Sequence, residues 1–112
     1  MAYDEDLAAR VRELFVAEPD LVERKMFGGL AFLLGGHMTV AVSGSGGLMV
    51  RLARDDADRL ALRTPAEPVV MQGRPMGGWL LVPVDALKTG RQLERWVTRA
   101  TTYVRALPPK PH

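Results

Sequence analysis

Residues 24–52 read RKMFGGLAFLLGGHMTVAVSGSGGLMVRL and hold seven of the chain's eleven glycines. Glycine groups of this kind serve either phosphate loops or tight turns between strands. A phosphate loop needs Gly-Lys followed by Ser or Thr at the start of a helix, and the chain has no Gly-Lys pair. The nearest match to a dinucleotide fingerprint, residues 44–49, ends in Met49 and leads into a strand. The glycines therefore predict the turns of an antiparallel sheet.

Four strands are expected around these glycines. Leu30–Leu34 is apolar throughout, which is typical of a strand in the middle of a sheet. In His37–Val42 the alternation predicts Met38, Val40 and Val42 on one face. Gly35-Gly36 forms a two-residue hairpin turn, and residues 43–47 form a longer hairpin loop. The remaining two strands are predicted at Val22–Phe27 and Leu48–Ala53.

Helices are predicted on both sides of this block and after it. Residues 4–17 have helical apolar spacing with Asp4 as N-cap, and residues 55–63 form a helix opened by Asp55 and Asp56. The apolar stripe of the last helix ends near Leu107, and Thr89 with Gln92 fits a capping box. Two more strands, Val69–Gln72 and Trp79–Val84, flank a predicted turn at residues 73–78. The order is α-β4-α-β2-α, a two-layer α+β fold with N-terminal, middle and C-terminal helices.

Size and composition indicate one soluble unit. The chain has 112 residues, 47% of them hydrophobic, which suits a single domain over residues 1–107 with a proline-rich tail at 108–112. No run reaches the roughly 20 apolar residues of a membrane span. The first residues are acidic, unlike a secretory signal, so a cytoplasmic location is expected. Cysteine is absent, which excludes disulfides and thiolate chemistry.

Charge is divided between the two ends of the chain. Residues 1–23 carry seven acids against two bases, whereas residues 88–112 carry six bases against Glu94. This division suits an anionic partner at the C-terminal end, contact between the two ends, or contact of each end with its copy in a dimer.

Groups that perform catalysis or hold metals are sparse. His37 lies beside a turn, where a solvent-facing side chain is expected. Ser43 and Ser45 lie in a glycine loop without a strained nucleophile elbow. Asp55, Asp56 and Asp58 suit a helix start better than a cation site. The sequence predicts no catalytic residue, no metal and no cofactor.

Two groups of residues are candidates for binding. Arg24, Lys25 and Arg74, with Met26 and Met76, could line a groove for a peptide or small ligand, although core packing is the favoured interpretation for Met26, Phe27 and Trp79. The second group is a basic row along one side of the last helix, suited to phosphates or an acidic protein face. A solvated helix exterior is its simpler interpretation. The row consists of Lys88, Arg91, Arg95 and Arg99.

Short motifs across nearly the whole chain resemble the TfoX N-terminal domain family. They are Tyr3-Asp4-Glu5 with Leu7, then Lys25, Met26, Phe27, Gly28 and Gly29, then Gly73, Arg74, Pro75 and Met76, and the closing Leu107-Pro108-Pro109-Lys110. The family takes its name from TfoX/Sxy regulators of natural competence, which carry a second, helical domain after this one. The resemblance implies a stand-alone form of the domain and a fold similar to secretion chaperones, which often form homodimers and bind proteins.

We therefore expect a non-enzymatic regulatory or protein-interaction domain, related to competence and transcription regulation, that binds itself and a further protein. One alternative is a transcription-related accessory that binds nucleic acid through the basic row. A small-molecule-binding or catalytic domain that uses the Met26 and Arg74 region is the other.

Overall fold

A computed structural model describes residues 3–26 and 28–108 and contains one six-stranded antiparallel sheet with helices packed on it. The strand order across the sheet is β1-β2-β3-β4-β6-β5. The predicted α+β class and the order of its elements are confirmed, with one short 3-10 helix added. The elements are α1 (Glu5–Leu14), β1 (Val22–Met26), β2 (Gly29–Leu34), β3 (His37–Val42), β4 (Leu48–Arg51), α2 (Arg54–Arg63), β5 (Glu67–Met71), β6 (Arg74–Val82), the 3-10 helix (Val84–Leu87) and α3 (Gly90–Arg105).

The outer helices begin as the sequence predicts. The Asp4 carboxylate accepts a hydrogen bond from the Leu7 N–H at 3.0 Å, and Thr89 and Gln92 form a complete capping box at the start of α3. Helix α2 differs, because Ala53 stands at its N-cap without a side-chain bond. Asp55 and Asp56 lie inside its first turn, where their charges favour the positive end of the helix dipole.

The predicted turn at residues 73–78 is wrong, because most of it belongs to β6. Gln72 and Gly73 alone turn the chain, with φ angles of 53° and 77°. Two successive positive φ angles make a two-residue hairpin turn that matches the twist of the strands. Arg74, Pro75 and Met76 are therefore strand residues.

One face of the sheet carries the helices and holds the core. Phe32 and Val50 are fully buried there, and the ring of Phe15 from α1 lies 5.9 Å from that of Phe32. Helix α3 packs over β3 and β4, and α2 packs over β6. The strand residues of this core are Leu30, Phe32, Leu34, Val40, Val42, Leu48, Val50, Leu80 and Val82.

A bulge in β3 overturns part of the predicted alternation. Phe32 pairs with Val40 and Leu33 pairs with Met38, so Thr39 is an extra residue between two paired ones. Since the extra residue reverses the direction of every side chain before it, Met38 faces away from Val40 and Val42. Thr39 is buried, and its hydroxyl donates to the His37 carbonyl at 3.2 Å.

Both edge strands are poor templates for a further strand. Glu23, Arg24 and Lys25 place three charges in succession on β1, and Pro68 removes a backbone donor from β5. A partner that approaches the sheet is therefore expected on its uncovered face.

Candidate functional site

A groove crosses the face of the sheet that no helix of the described residues covers. Its volume is about 660 Å³, within the range of ligand-binding clefts. Ala31, Ala41 and Leu81 lie at its floor, and Trp79 lines it from β6. Every methionine that the structure describes also lines it: Met26, Met38, Met49, Met71 and Met76. We call this the methionine groove.

Strand register brings the methionines together from five strands. Met49 pairs with Ala41 on one side and with Leu81 on the other, so it lies near the middle of the groove. Met26 ends β1 and pairs with Gly29. Met38 joins the groove because of the β3 bulge. A thioether side chain has three rotatable bonds and adapts to different apolar surfaces, so this lining suits an interchangeable or flexible occupant.

Met26 and Trp79 are not core residues, contrary to expectation. Both are half-buried and line the groove on the open face. Trp79 pairs across the sheet with Arg51 and alternates with the core residue Leu80. Since residues next to each other in a strand point to opposite faces, burial of Leu80 places Trp79 on the open side.

The residues of the first family motif, 25–29, lie partly in the methionine groove and partly on the helix-covered face. Met26, Gly28 and Gly29 line the groove. Lys25 pairs with the core residue Leu30, which places it at the edge of the helix-covered face. Phe27 lies outside the described residues.

The second motif lies at the far side of the sheet. Met76 lines the groove, and Arg74 pairs with Met71, which is another groove residue. Gly73 forms the hairpin turn, and Pro75 pairs with Val70 and is exposed.

The doublet Gly28-Gly29 is needed for two different reasons. Gly28 has a φ of 75°, which side chains other than glycine rarely adopt, with open space where a Cβ would lie. A Cβ on Gly29 would instead overlap the carbonyl oxygen of Val42 in β3. The positive φ at Gly28 and the close approach at Gly29 are requirements of strand geometry and not of a phosphate loop.

Two arginines stand at opposite sides of the methionine groove. Arg24 pairs with Ala31 and so projects from the open face of β1, and Arg74 projects beside Met71. Neither forms an ion pair with another described residue. Glu67, which pairs with Leu81, is an acid on the same face. The methionines are thus bordered by a positive charge on each side.

The basic row is only partly a helix face. Lys88 precedes α3 and lies 3.7 Å from Asp85, whereas Arg91 and Arg95 are exposed on the helix. Arg99 is half-buried, with its guanidinium carbon 4.8 Å from the centre of the Trp96 ring. Burial, and then the nearby charges of Arg95 and Arg59, lower the pKa of Arg99.

The charges of the two chain ends do meet within the molecule. Arg105, at the end of α3, donates to the carboxylates of Asp20 at 2.8 Å and Glu18 at 2.9 Å. The hydrogen bond from Arg105 lowers the pKa of Asp20 to about 2. Within the N-terminal end itself, Arg12 forms an ion pair with Glu23, and this hydrogen bond lowers the pKa of Glu23.

His37 is not the solvent-facing side chain that its turn position suggests. It is half-buried, and its Nε2 lies 2.6 Å from the carbonyl oxygen of Pro108. Donation to that carbonyl requires the proton on Nε2 and leaves Nδ1, which is buried, without a partner in the described chain. The contact joins the β2–β3 turn to the end of α3, so its role is structural.

The described residues contain no cluster of three or more histidine or carboxylate groups that could hold a metal ion. Within the same residues, no helix has the length and apolar character needed to cross a membrane.

A family model supplies the decisive comparison. The model of the TfoX N-terminal domain matches residues 13–103. The chain belongs to this family. The match includes most of α3, both glycine motifs and the whole sheet, so it covers the methionine groove and the basic row. No curated protein matches the chain.

Sequence reasoning selected two of the five groove methionines. The alternation predicts Met38 on the same face as Val40, which is wrong, and does not mark Met71 as a site residue. Met49 alternates with the apolar Leu48 and Val50, so the sequence already places it on the outward face of β4, as the structure does. Nothing in the sequence marks the bulge that redirects Met38.

Proposed function

We propose that this TfoX N-terminal domain is a non-enzymatic protein-binding domain, and that its methionine groove binds an apolar segment of a partner protein. The observation that carries the proposal is the convergence of Met26, Met38, Met49, Met71 and Met76 with Trp79 on a face left uncovered by helices. Flexible methionine surfaces are typical of sites that accept varied apolar segments.

Because the methionine groove is concave, a convex segment of a partner fills it better than the same groove of a second copy would. A two-fold dimer built on this face would place the same patch against itself. Two opposed grooves of about 660 Å³ each would enclose empty space, whereas the centre of a stable interface is packed as densely as a protein interior. An inserted helix or extended segment fills the groove instead.

The charges at the rim indicate which residues flank that segment. Arg24 and Arg74 stand on opposite sides of the apolar lining. A segment with Asp or Glu on either side of its apolar residues would pair with both arginines, and such complementarity chiefly sets specificity and association rate.

Methionine-methyl NMR tests the proposal directly, because five of the chain's six methionines lie in the groove. The probe is a peptide of about 12 residues, selected from a displayed random library against the intact protein. We expect the methyl signals of the groove methionines to shift on binding, and the selected sequences to combine apolar with acidic residues.

A matched pair of substitutions provides the control. Ala41→Glu places a carboxylate at the groove floor and is expected to weaken peptide binding more than about tenfold, since burying an unpaired charge is costly. Ala9→Glu makes the same change on the exposed side of α1 and should leave binding intact. Peptides that bind both variants equally would contradict the groove as the site.

The resemblance also implies a homodimer, and we propose one that leaves the groove open. Light scattering after size exclusion measures the assembly. A dimer that Ala41→Glu converts to monomers would show that the groove lies between copies, against the proposal. The family name suggests a regulatory role in competence and transcription. Under our proposal this role is exerted in the cytoplasm through protein binding and not through catalysis.

Nucleic-acid binding through α3 is the second candidate function. Arg91, Arg95 and Arg99 recur every four residues, a rise of about 6 Å per step along one side of the helix. Such a row could follow phosphates along a strand. Duplex DNA should then bind at low salt and dissociate as salt rises, with a shallower salt dependence for Arg91→Gln. No binding at low salt would remove this candidate.

A further inference from the structure

A second cleft, of about 320 Å³, lies between the end of α2 and the first half of α3. Arg95, Trp96, Arg99 and Gln92 line it from α3, and Thr64 lines it from the residue that follows α2. It lies among the helices and so on the side of the sheet away from the methionine groove. A ligand in this cleft would be independent of the protein binding proposed for the methionine groove.

Two arginines line this cleft. Arg99 is held over the Trp96 ring at 4.8 Å, and Arg95 stands one helical turn before it. Arg59, on α2, does not line the cleft, but its charge is near enough to act on Arg99. The charges of Arg95 and Arg59 reach Arg99 strongly enough to lower its pKa, after the larger effect of burial. Arg59 pairs with Asp56 at 3.0 Å, but neither Arg95 nor Arg99 forms an ion pair with a described residue.

The acid that lines the cleft has a basic partner of its own. Asp85 lines the cleft, and its carboxylate lies 3.7 Å from the Lys88 ammonium. The Gln92 side-chain oxygen accepts from the Thr89 N–H as part of the capping box, which leaves its NH₂ group available to donate. The Thr64 hydroxyl donates to the Leu60 carbonyl and is engaged as well. Apart from the exposed Asp85 carboxylate, the side-chain polar groups that remain available in the cleft are therefore donors.

Like charges held together in a partly buried place are unfavourable until an anion joins them. Guanidinium groups match the oxygens of a phosphate in pairs of parallel hydrogen bonds. The cleft has room for one such group and its attachment, but not for a length of duplex. We propose that this cleft binds the phosphate group of a monoester, held by Arg95 and Arg99 with the Gln92 NH₂ group as a further donor.

Tryptophan fluorescence can report this cleft alone. The chain has two tryptophans, and Trp79 lies in the methionine groove. In a Trp79→Phe background, Trp96 is the remaining indole, and its contact with Arg99 makes its emission sensitive to an anion there. The probes are inorganic phosphate, phosphoserine and a short phosphoserine peptide, with the unphosphorylated peptide as reference.

We expect Arg95→Gln and Arg99→Gln each to weaken phosphate binding about tenfold or more, since each removes a charge-assisted hydrogen bond. Arg59→Gln removes a nearby charge that does not line the cleft and should weaken binding less. Arg91→Gln removes the same charge one turn away on α3 and should change the affinity less than about twofold, because the exposed charge acts only at long range. Thermal denaturation checks that each variant is folded.

The outcomes separate the alternatives. Equal affinity for phosphoserine and its peptide would assign a free small molecule, and a much higher affinity for the phosphopeptide would assign a modified protein; either supports the site. The proposal fails if no phosphate compound changes Trp96 emission at millimolar concentration, or if the four arginine variants bind alike. Duplex binding weakened equally by Arg91→Gln and Arg95→Gln, without phosphate binding, would replace the site with an extended nucleic-acid face.

Discussion

The two faces of the sheet are built from different side chains, although they share the same strands. The covered face carries Phe, Leu and Val, and most of these side chains have no solvent exposure at all. The open face carries methionine, alanine and one tryptophan around a groove. Branched and aromatic side chains hold one packed arrangement, whereas thioethers accept several. The comparison indicates that one face is fixed by close packing, whereas the side chains of the other can adapt, as the proposed binding function requires.

The largest difference should come from truncation on the covered face. Phe32→Ala removes a fully buried ring that contacts Phe15, and we expect a loss of about 3–5 kcal/mol in the free energy of unfolding. Urea denaturation measures it. Met49→Ala, on the open face of β4, should lower the free energy of unfolding much less, because Met49 is half-exposed to solvent. Equal losses would contradict the division between the faces.

Gly28 and Gly29, at the end of the groove, allow the effect of a close backbone approach to be compared with that of a positive φ at two adjacent positions. Gly29→Ala should destabilise by about 2–3 kcal/mol, because its Cβ would force apart the backbones of β2 and β3. Gly28→Ala should cost about 1 kcal/mol, from the positive φ alone. Thermal or urea unfolding of the two variants, measured side by side, gives the order. A reversed order would mean that backbone conformation outweighs the close approach.

The charge contacts at the edge of the covered face should have a moderate, pH-dependent effect. Arg105 lowers the pKa of Asp20 from 3.8 to about 2, so the pair stabilises the fold above about pH 4 and this contribution is lost as the pH falls through 2. Asp20 and Arg105 are each about 40% exposed, at 40% and 39%, which limits the pair to about 1 kcal/mol at neutral pH.

Arg105→Gln should therefore reduce stability by that amount at pH 7 and make unfolding less dependent on pH between 4 and 2. Urea denaturation across this range is the measurement. Arg12→Gln, which removes the exposed pair with Glu23, is the control for a general loss of one surface charge. A pH dependence unchanged by Arg105→Gln would refute the assignment to Asp20.

The smallest effect on stability is expected on the open face itself. Met49→Leu nearly conserves volume and should change the free energy of unfolding by less than about 1 kcal/mol. It replaces a flexible side chain with a branched one at the centre of the groove, so the range of peptides bound should narrow. Display selections against the two proteins, compared by sequence diversity, would reveal this. Unchanged diversity would show that methionine flexibility is not what the groove uses.

The strands were predictable where the side-chain pattern and the turn chemistry agree. Leu30–Leu34 is a buried strand, and Gly35 and Gly36 have the positive φ angles of a two-residue turn, 57° and 82°. Prediction failed at Gln72-Gly73, because glutamine gives no sign that it will adopt a φ of 53°. It failed again at Thr39, whose bulge depends on how β2 and β3 pair over their whole length.

The binding sites were less predictable than the fold. The sequence brought attention to Met26 and Met76 through their similar surroundings, but a strand residue's face depends on register with its neighbours. The row of Arg91, Arg95 and Arg99 was visible from helical spacing. That Arg95 and Arg99 share a cleft with Thr64 was not, because no local pattern relates α3 to the residues that follow α2.

By itself, the sequence determined the α+β class, the order of helices and strands, the capped ends of α1 and α3 and the family. Those properties arise from periodicity, caps and glycine turns, which act within a few residues of one another. Tertiary structure alone decided that five methionines share one groove, that Arg95 and Arg99 share a cleft with Thr64, and that Arg105 meets Asp20. Each of these requires strands or helices distant in the chain to pack in one particular register, and only the complete fold supplies it.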